Sequence, residues 1–413
     1  MRSLLGTRVF AVTTMAVISA ATALCQAPAP APAGDQAGTP AAQAPAVTPT
    51  PAPAAPAALP TPSVTGPISM LPPATFGKIG INGIASFLGT ATQNHIEGDH
   101  TTNATLGNGM VWLQKTDGVF QFYVQAGAYD LPSMGSSFLP LDKTLTDLYG
   151  PVPVAFVKLQ AGKNTSFQIG SLPTLIGAEY TFTFENMNVV RGLLWNQENA
   201  VTRGIQVNQT MGKVTASLSW NDGFYSNRYN WLSGSLAYTN GPNAISFVAG
   251  GNYGQTAFQK LATPVQNNGS IYNVIYTYTK GPLILQPYFQ YTNVPTNHSI
   301  GVDKGASTTG GAILASYAMK HGFSLPVRFE YIGSSGSAKD GSVNLMYGPG
   351  SKATSFTVTP TYQKGGLFAR CDLGYVHVSD MASGAGFGKT GDEQGQFRAA
   401  LEFGFIFGNN VGR

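Results

Sequence analysis

The stretch Phe397-Arg398-Ala399-Ala400-Leu401-Glu402-Phe403-Gly404-Phe405-Ile406-Phe407 decides the fold. Phe397, Ala399, Leu401, Phe403, Phe405 and Phe407 form an apolar stripe at period two, with Arg398, Ala400, Glu402, Gly404 and Ile406 between them. Successive side chains of a β-strand point to opposite faces, so one face here is apolar while the other accepts charge of both signs. The alternation recurs in Phe120-Phe122-Val124-Ala126-Ala128 against Gln121-Tyr123-Gln125, and in Val214-Ala216-Leu218-Trp220 against Thr215-Ser217-Ser219-Asn221. About a dozen segments after Gly77 read this way.

Composition says what the apolar faces meet. Only 10% of the 413 residues are Asp, Glu, Lys or Arg, against about 25% in a soluble protein. A soluble β-sandwich would need charged outer faces, so the outward stripes point to lipid. The chain has 50 Gly, 23 Phe and 18 Tyr, a composition of short strands and polar turns. No stretch beyond the N-terminus supplies the roughly 18 consecutive apolar residues of a spanning helix. Any membrane crossing therefore falls to strands closed into a barrel.

The connections count the strands. Tight turns rich in Gly, Asn, Lys or Pro fall at 116–118, 162–164, 211–213, 240–243, 280–282, 319–322 and 363–366. Longer polar connections fall between them at 91–107, 131–151, 173–200, 223–228, 254–270, 293–307, 334–353 and 379–395. Seven short and eight long connections in strict alternation imply sixteen antiparallel strands, with both chain ends on the short-turn side. The fold class expected is all-β: a transmembrane up-and-down barrel with long external loops and short periplasmic turns. A barrel of that size is wide enough to enclose water.

Three regions precede or make up the barrel. Residues 1–27 have the form of a signal peptide, with Arg2 and Arg8 ahead of the apolar run from Val9 to Leu24 and a small-residue cleavage site at Ala21-Thr22-Ala23. Cys25 suggests a lipoprotein, but Leu24 stands where a lipobox takes a small residue. Residues 28–67 are an Ala/Pro-rich stretch that cannot bury a core and reads as a periplasmic tether or an idle tail. Residues 68–413 are assigned to the barrel. Past residue 67 there are 21 basic and 18 acidic residues, a balance of +3 that gives no reason to expect nucleic acid. With Cys371 alone remaining after Cys25, no intrachain disulfide is expected.

Gly170-Ser171-Leu172-Pro173-Thr174-Leu175-Ile176-Gly177-Ala178-Glu179-Tyr180, then Glu185-Asn186, Arg191-Gly192 and Thr202-Arg203-Gly204-Ile205, resemble the OmpL-like putative β-barrel porin-2 family. The resemblance implies an outer-membrane porin, and it extends over the region after the tether. One departure is the C-terminus, where many outer-membrane barrels end on an aromatic residue. Here Phe407 is followed by six more residues.

The third long connection carries Glu179, Glu185, Arg191 and Glu198 with Leu175, Ile176, Phe182, Phe184, Leu193, Leu194 and Trp195. Such apolar side chains are poorly placed on an outward loop. By analogy with general sixteen-stranded porins, this loop is expected to fold into the barrel and narrow it. An external cap or a trimer contact is the alternative. The stripes turn Lys158, Arg328, Glu330, Arg370, Asp372, Arg398 and Glu402 into the lumen, where charge tunes selectivity. They either stiffen the wall or, with Arg328, Arg370 and Arg398 opposite the acidic loop, set up a transverse field.

Three further features invite a different chemistry. Ser383-Gly384-Ala385-Gly386-Phe387-Gly388-Lys389-Thr390 looks like a phosphate-binding loop, except that Ser383 replaces the first glycine and a strand rather than a helix follows. His95, Glu97, Asp99 and His100 lack the rigid spacing of a metal site, and His298, His321 and His377 are isolated. No nucleophile and base are paired as hydrolysis requires. The expected function is passive diffusion of small hydrophilic solutes or ions, with no cofactor, no metal and no catalysis. Outer-membrane lipid, small polar solutes and a possible homotrimer are the expected partners. The alternative is a plugged outer-membrane barrel acting as an adhesin or surface-interaction protein.

Overall fold

The computed structural model describes residues 69–70, 79–256 and 264–408; the signal segment, the tether and Cys25 lie outside them. Sixteen antiparallel strands close into a barrel. They are β1 (Gly80–Thr92), β2 (Thr102–Lys115), β3 (Phe120–Tyr129), β4 (Val154–Gln160), β5 (Thr165–Pro173) and β6 (Val201–Met211). Then come β7 (Val214–Asn221), β8 (Trp231–Asn240), β9 (Asn243–Asn252), β10 (Ser270–Lys280) and β11 (Leu283–Val294). The last five are β12 (Ala306–Ala318), β13 (Phe323–Ser334), β14 (Lys352–Val358 continued by Thr361–Lys364), β15 (Leu367–Ser379) and β16 (Gly395–Phe407). Every strand pairs with its neighbours in sequence, and β16 closes the ring on β1 from Arg398↔Thr92 to Phe407↔Gly83. A two-residue pairing of Ser69–Met70 with the start of β1 precedes the barrel.

Period two holds around the ring. On β16, Leu401 and Phe403 are 48% exposed, while inward Arg398 and Glu402 are at 1% and 0%. Outward positions such as Leu236, Phe247, Phe289, Phe356 and Tyr375 are similarly bare of protein. These residues form an outward apolar band around the ring. Cys371 sits on the outward face between inward Arg370 and Asp372, half-buried.

All seven expected turns are present. Four are two residues long and open on a glycine, Gly212, Gly241, Gly281 and Gly365, with φ between +56° and +62°. Residues with a Cβ are strained there, which is why these hairpins select glycine. The eight longer connections fall at the opposite end. The first of them is shorter than the expected 91–107, because Thr102–Gly107 belong to β2. That segment reads as a loop because Thr, Asn and Gly dominate it, but Asn103 and Thr105 line the lumen while Ala104 and Leu106 face outward, and Gly107 is the extra residue of a bulge opposite Ser86 and Phe87. The second loop, expected as a long polar connection, contains a short helix α1 (Leu141–Asp147).

Candidate functional site

The third loop, residues 174–200, folds into the barrel. Leu175, Ile176, Phe182, Phe184, Leu193, Leu194 and Trp195 are all buried, Trp195 completely. Two short 3-10 turns, Thr183–Glu185 and Leu194–Gln197, compact it. Phe182 packs edge-on to Tyr129 of β3 and stacks with Phe184, which stacks in turn on Trp112 of β2. Leu175 and Ile176 reach the far side, joining Trp231 of β8, Val248 of β9 and Ile271 of β10. The loop therefore touches several parts of the wall, and an outward cap is excluded.

Charged residues of the last strands hold one side of it. The Arg328 guanidinium on β13 pairs with Glu179 of the loop at 2.6 Å and with Glu330 at 3.2 Å, and donates to the Val190 carbonyl at 2.8 Å. Glu330 accepts the backbone N–H groups of Leu193 and Leu194 at 2.9 and 3.2 Å. Asp372 on β15 accepts the Val190 N–H at 2.7 Å. Arg370 pairs with Glu402 of β16 and donates to the Asn186 carbonyl at 2.9 Å. Glu402 also accepts from Ser86, Asn108 and Thr183, at 2.9, 3.0 and 2.7 Å. A carboxylate removed from water demands this many donors, because burial without partners costs several kcal/mol per ion.

Arg398 is held differently: its guanidinium donates to the Ser133 and Ser136 carbonyls of the second loop, at 2.6 and 2.9 Å, and to Thr92 at 3.1 Å. Arg191, inside the third loop, donates to the carbonyls of Tyr180, Thr181 and Pro132 and lies over the Trp195 ring. Glu185 accepts the Phe182 N–H at 3.2 Å. The opposite side of the loop meets neutral groups. Asn273 of β10 accepts the Gly177 N–H at 3.1 Å, Gln290 of β11 donates to the Leu194 carbonyl at 3.0 Å, and the Tyr288 hydroxyl donates to Glu198.

The expected residues thus separate into two groups. Glu179, Glu185, Arg191, Glu198, Arg328, Glu330, Arg370, Asp372, Arg398 and Glu402 are brought together around the loop, all at 6% exposure or less. Lys158 stands apart on β4, half-buried, with Gln121 and Gln168 as its cross-strand neighbours. Below the loop, inward residues near the short turns, among them Gln160, Thr210, Thr239, Thr279 and Ser324, keep contact with solvent.

A model of the family described as Putative beta-barrel porin-2, OmpL-like matches residues 78–407. The chain belongs to that family. Solved structures with the same fold include outer-membrane-expressed OmpT of Vibrio cholerae, with 12% identity, a TM-score of 0.54, and coverage of 82% of this chain and 100% of that one. A loop L8 deletion mutant of the same protein gives 12%, 0.52, and 80% and 99%. OmpF of Salmonella typhi in complex with daunomycin gives 11%, 0.50, and 80% and 98%. No curated protein matches the sequence. The porin-2 member described here is an outer-membrane porin in its family and its fold, which go with a channel rather than an enzyme.

Sequence reasoning passed over several of the residues that hold the loop. Asn108, Ser86, Tyr288, Asn273 and Gln290 all occupy inward positions of their strands, so polarity at alternate positions was the available signal. The carbonyls of Pro132, Ser133 and Ser136 left no side-chain signal to find. The phosphate-loop look-alike lies in the eighth loop, where Asp392 accepts from the Gly384 N–H at 3.0 Å and from Ser383 at 3.1 Å. A carboxylate occupies the donors a phosphate would need, and those bonds hold Asp392 below the usual carboxylate range. In the first loop, Asp99 accepts the Phe138 N–H at 2.9 Å, which ties that loop to the second.

Proposed function

We propose that this porin lets small hydrophilic solutes or ions diffuse passively through the lumen, with the third loop as its constriction. The observation that carries the reading is the solvent-contacting, hydroxyl- and amide-lined vestibule on the short-turn side of a sixteen-stranded barrel. Neutral hydrogen-bonding groups exchange water for solute with little desolvation cost, which suits passage rather than capture. Nothing in the reading calls for a catalytic step or a bound cofactor. Outer-membrane lipid would cover the apolar band. Association as a homotrimer is part of the proposal by architectural analogy, and native mass spectrometry would count the copies.

A second reading is favoured by one observation. The third loop reaches both sides of the wall, and Met134, Tyr347 and Phe387 from the second, seventh and eighth loops share its apolar cluster. A barrel sealed there would serve surface interaction instead of transport. Single-channel recording on the purified full-length protein separates the two: stable conductance steps support the porin, and silence supports the plug. Liposome swelling with a graded series of sugars and amino acids then sets the solute limit.

A further inference from the structure

Seven charged side chains project from the strands into the lumen, and six cancel. Arg328, Arg370 and Arg398 balance Glu330, Asp372 and Glu402, three against three, and each is buried and bonded within the locked cluster. The seventh is Lys158. It contacts solvent, and among the described residues no ion pair joins it. The partners across β3 and β5 are the neutral amides of Gln121 and Gln168. The third loop adds Glu179, Glu185 and Glu198 against Arg191, all buried, so Lys158 is the one charged side chain on the lumen-facing strand positions that contacts solvent, on the vestibule side of the constriction.

A second observation points the same way. Six of the seven short turns carry a lysine at or beside them: Lys115, Lys163, Lys213, Lys280, Lys320 and Lys364. Asp117, paired with Lys115 at 2.9 Å, is the lone acid there, so six minus one leaves the rim at +5. The long loops have the opposite bias. Apart from the buried charges of the third loop and buried Asp130 and Asp222, their charges are exposed or in local pairs such as Asp340 with Lys304 and Asp380 with Lys352, and bulk salt screens exposed charges within about 10 Å at 0.1 M. A charge inside a narrow lumen with low-dielectric walls is screened far less and focuses ions of opposite sign.

We infer that Lys158 sets the charge preference of the channel and that the preference is for small anions, with the lysine rim gathering them at the short-turn mouth. The inference rests on the open-channel reading above. Lys158 is a specificity-determining residue in it, and the three lumen arginines are not. One charge at the distance of a pore radius changes the ratio of anion to cation permeability about twofold to threefold.

The test is the reversal potential of the purified full-length protein in a planar bilayer, under a tenfold gradient of potassium chloride. Wild type should show the anion sign. Lys158→Gln should bring the potential close to zero, Lys158→Glu should invert it, and Lys158→Arg should keep it. Resistance of each variant to unfolding in cold detergent shows that the barrel has formed. A cation-selective wild type, or a Lys158→Gln variant with an unmoved potential, overturns the assignment while leaving the channel intact. No conductance from any folded variant overturns the channel reading itself, and this inference with it.

Discussion

The two sides of the lumen hold the same loop by different means. From β5 to β12 no inward position carries Asp, Glu, Lys or Arg, and the loop is met there by Asn273, Tyr288 and Gln290. On β13, β15 and β16 it is met by Arg328 and Arg370 and by Glu330, Asp372 and Glu402, all buried. Charge-assisted bonds are about twice as strong as neutral ones, but losing one partner strands a buried charge. The charged side should therefore be the firmer and the more brittle, the neutral side the more forgiving.

The largest test is Arg328→Ala, which leaves Glu179 and Glu330 without their cation. It should cost about 3 to 5 kcal/mol of unfolding free energy, and it should free the third loop, raising conductance and exposing it to protease. A loss no greater than that of a neutral-side variant would end the contrast. Next is Gly192→Ala, whose added Cβ would come within 2.0 Å of the Glu330 carboxylate. Overpacking of this kind costs about 1 to 3 kcal/mol, read as a lower midpoint in denaturant.

Across the lumen, Asn273→Ala leaves the Gly177 N–H unbonded and should cost about 1 kcal/mol. Smallest of all is Lys304→Gln on the outer loops. Hydrogen bonds from Lys304 and Ser342 hold Asp340 well below the usual carboxylate range. A depressed carboxylate contributes stability above its ordinary pKa and loses it as pH falls through the lowered one. The variant should therefore unfold at a slightly lower midpoint than wild type at neutral pH and low salt, and the difference should close as pH falls and as salt is added.

The barrel was legible because period two and turn chemistry are local. Gly212 or Gly281 announces its hairpin without help from any distant residue. The inward direction of Arg328, Arg370 and Arg398 followed from the same parity. Their partners did not, because Glu179 lies 149 residues from Arg328 and the Ser133 carbonyl lies 265 from Arg398. Apolar Phe182 and Trp195 in a loop signalled that it folds inward, yet alternation along a strand says nothing about which wall grips it. Lys158 was grouped with the other wall charges because a pattern cannot tell a cancelled charge from a free one.

The seam between β16 and β1 joins residues some three hundred positions apart, and Glu402, which anchors Thr183 of the third loop, lies on its final strand. The strand that seals the ring is therefore also the strand that grips the loop: wherever β16 parts from β1, Glu402 leaves Ser86 and Asn108 on one side and Thr183 on the other, so the wall and its constriction share one fastening.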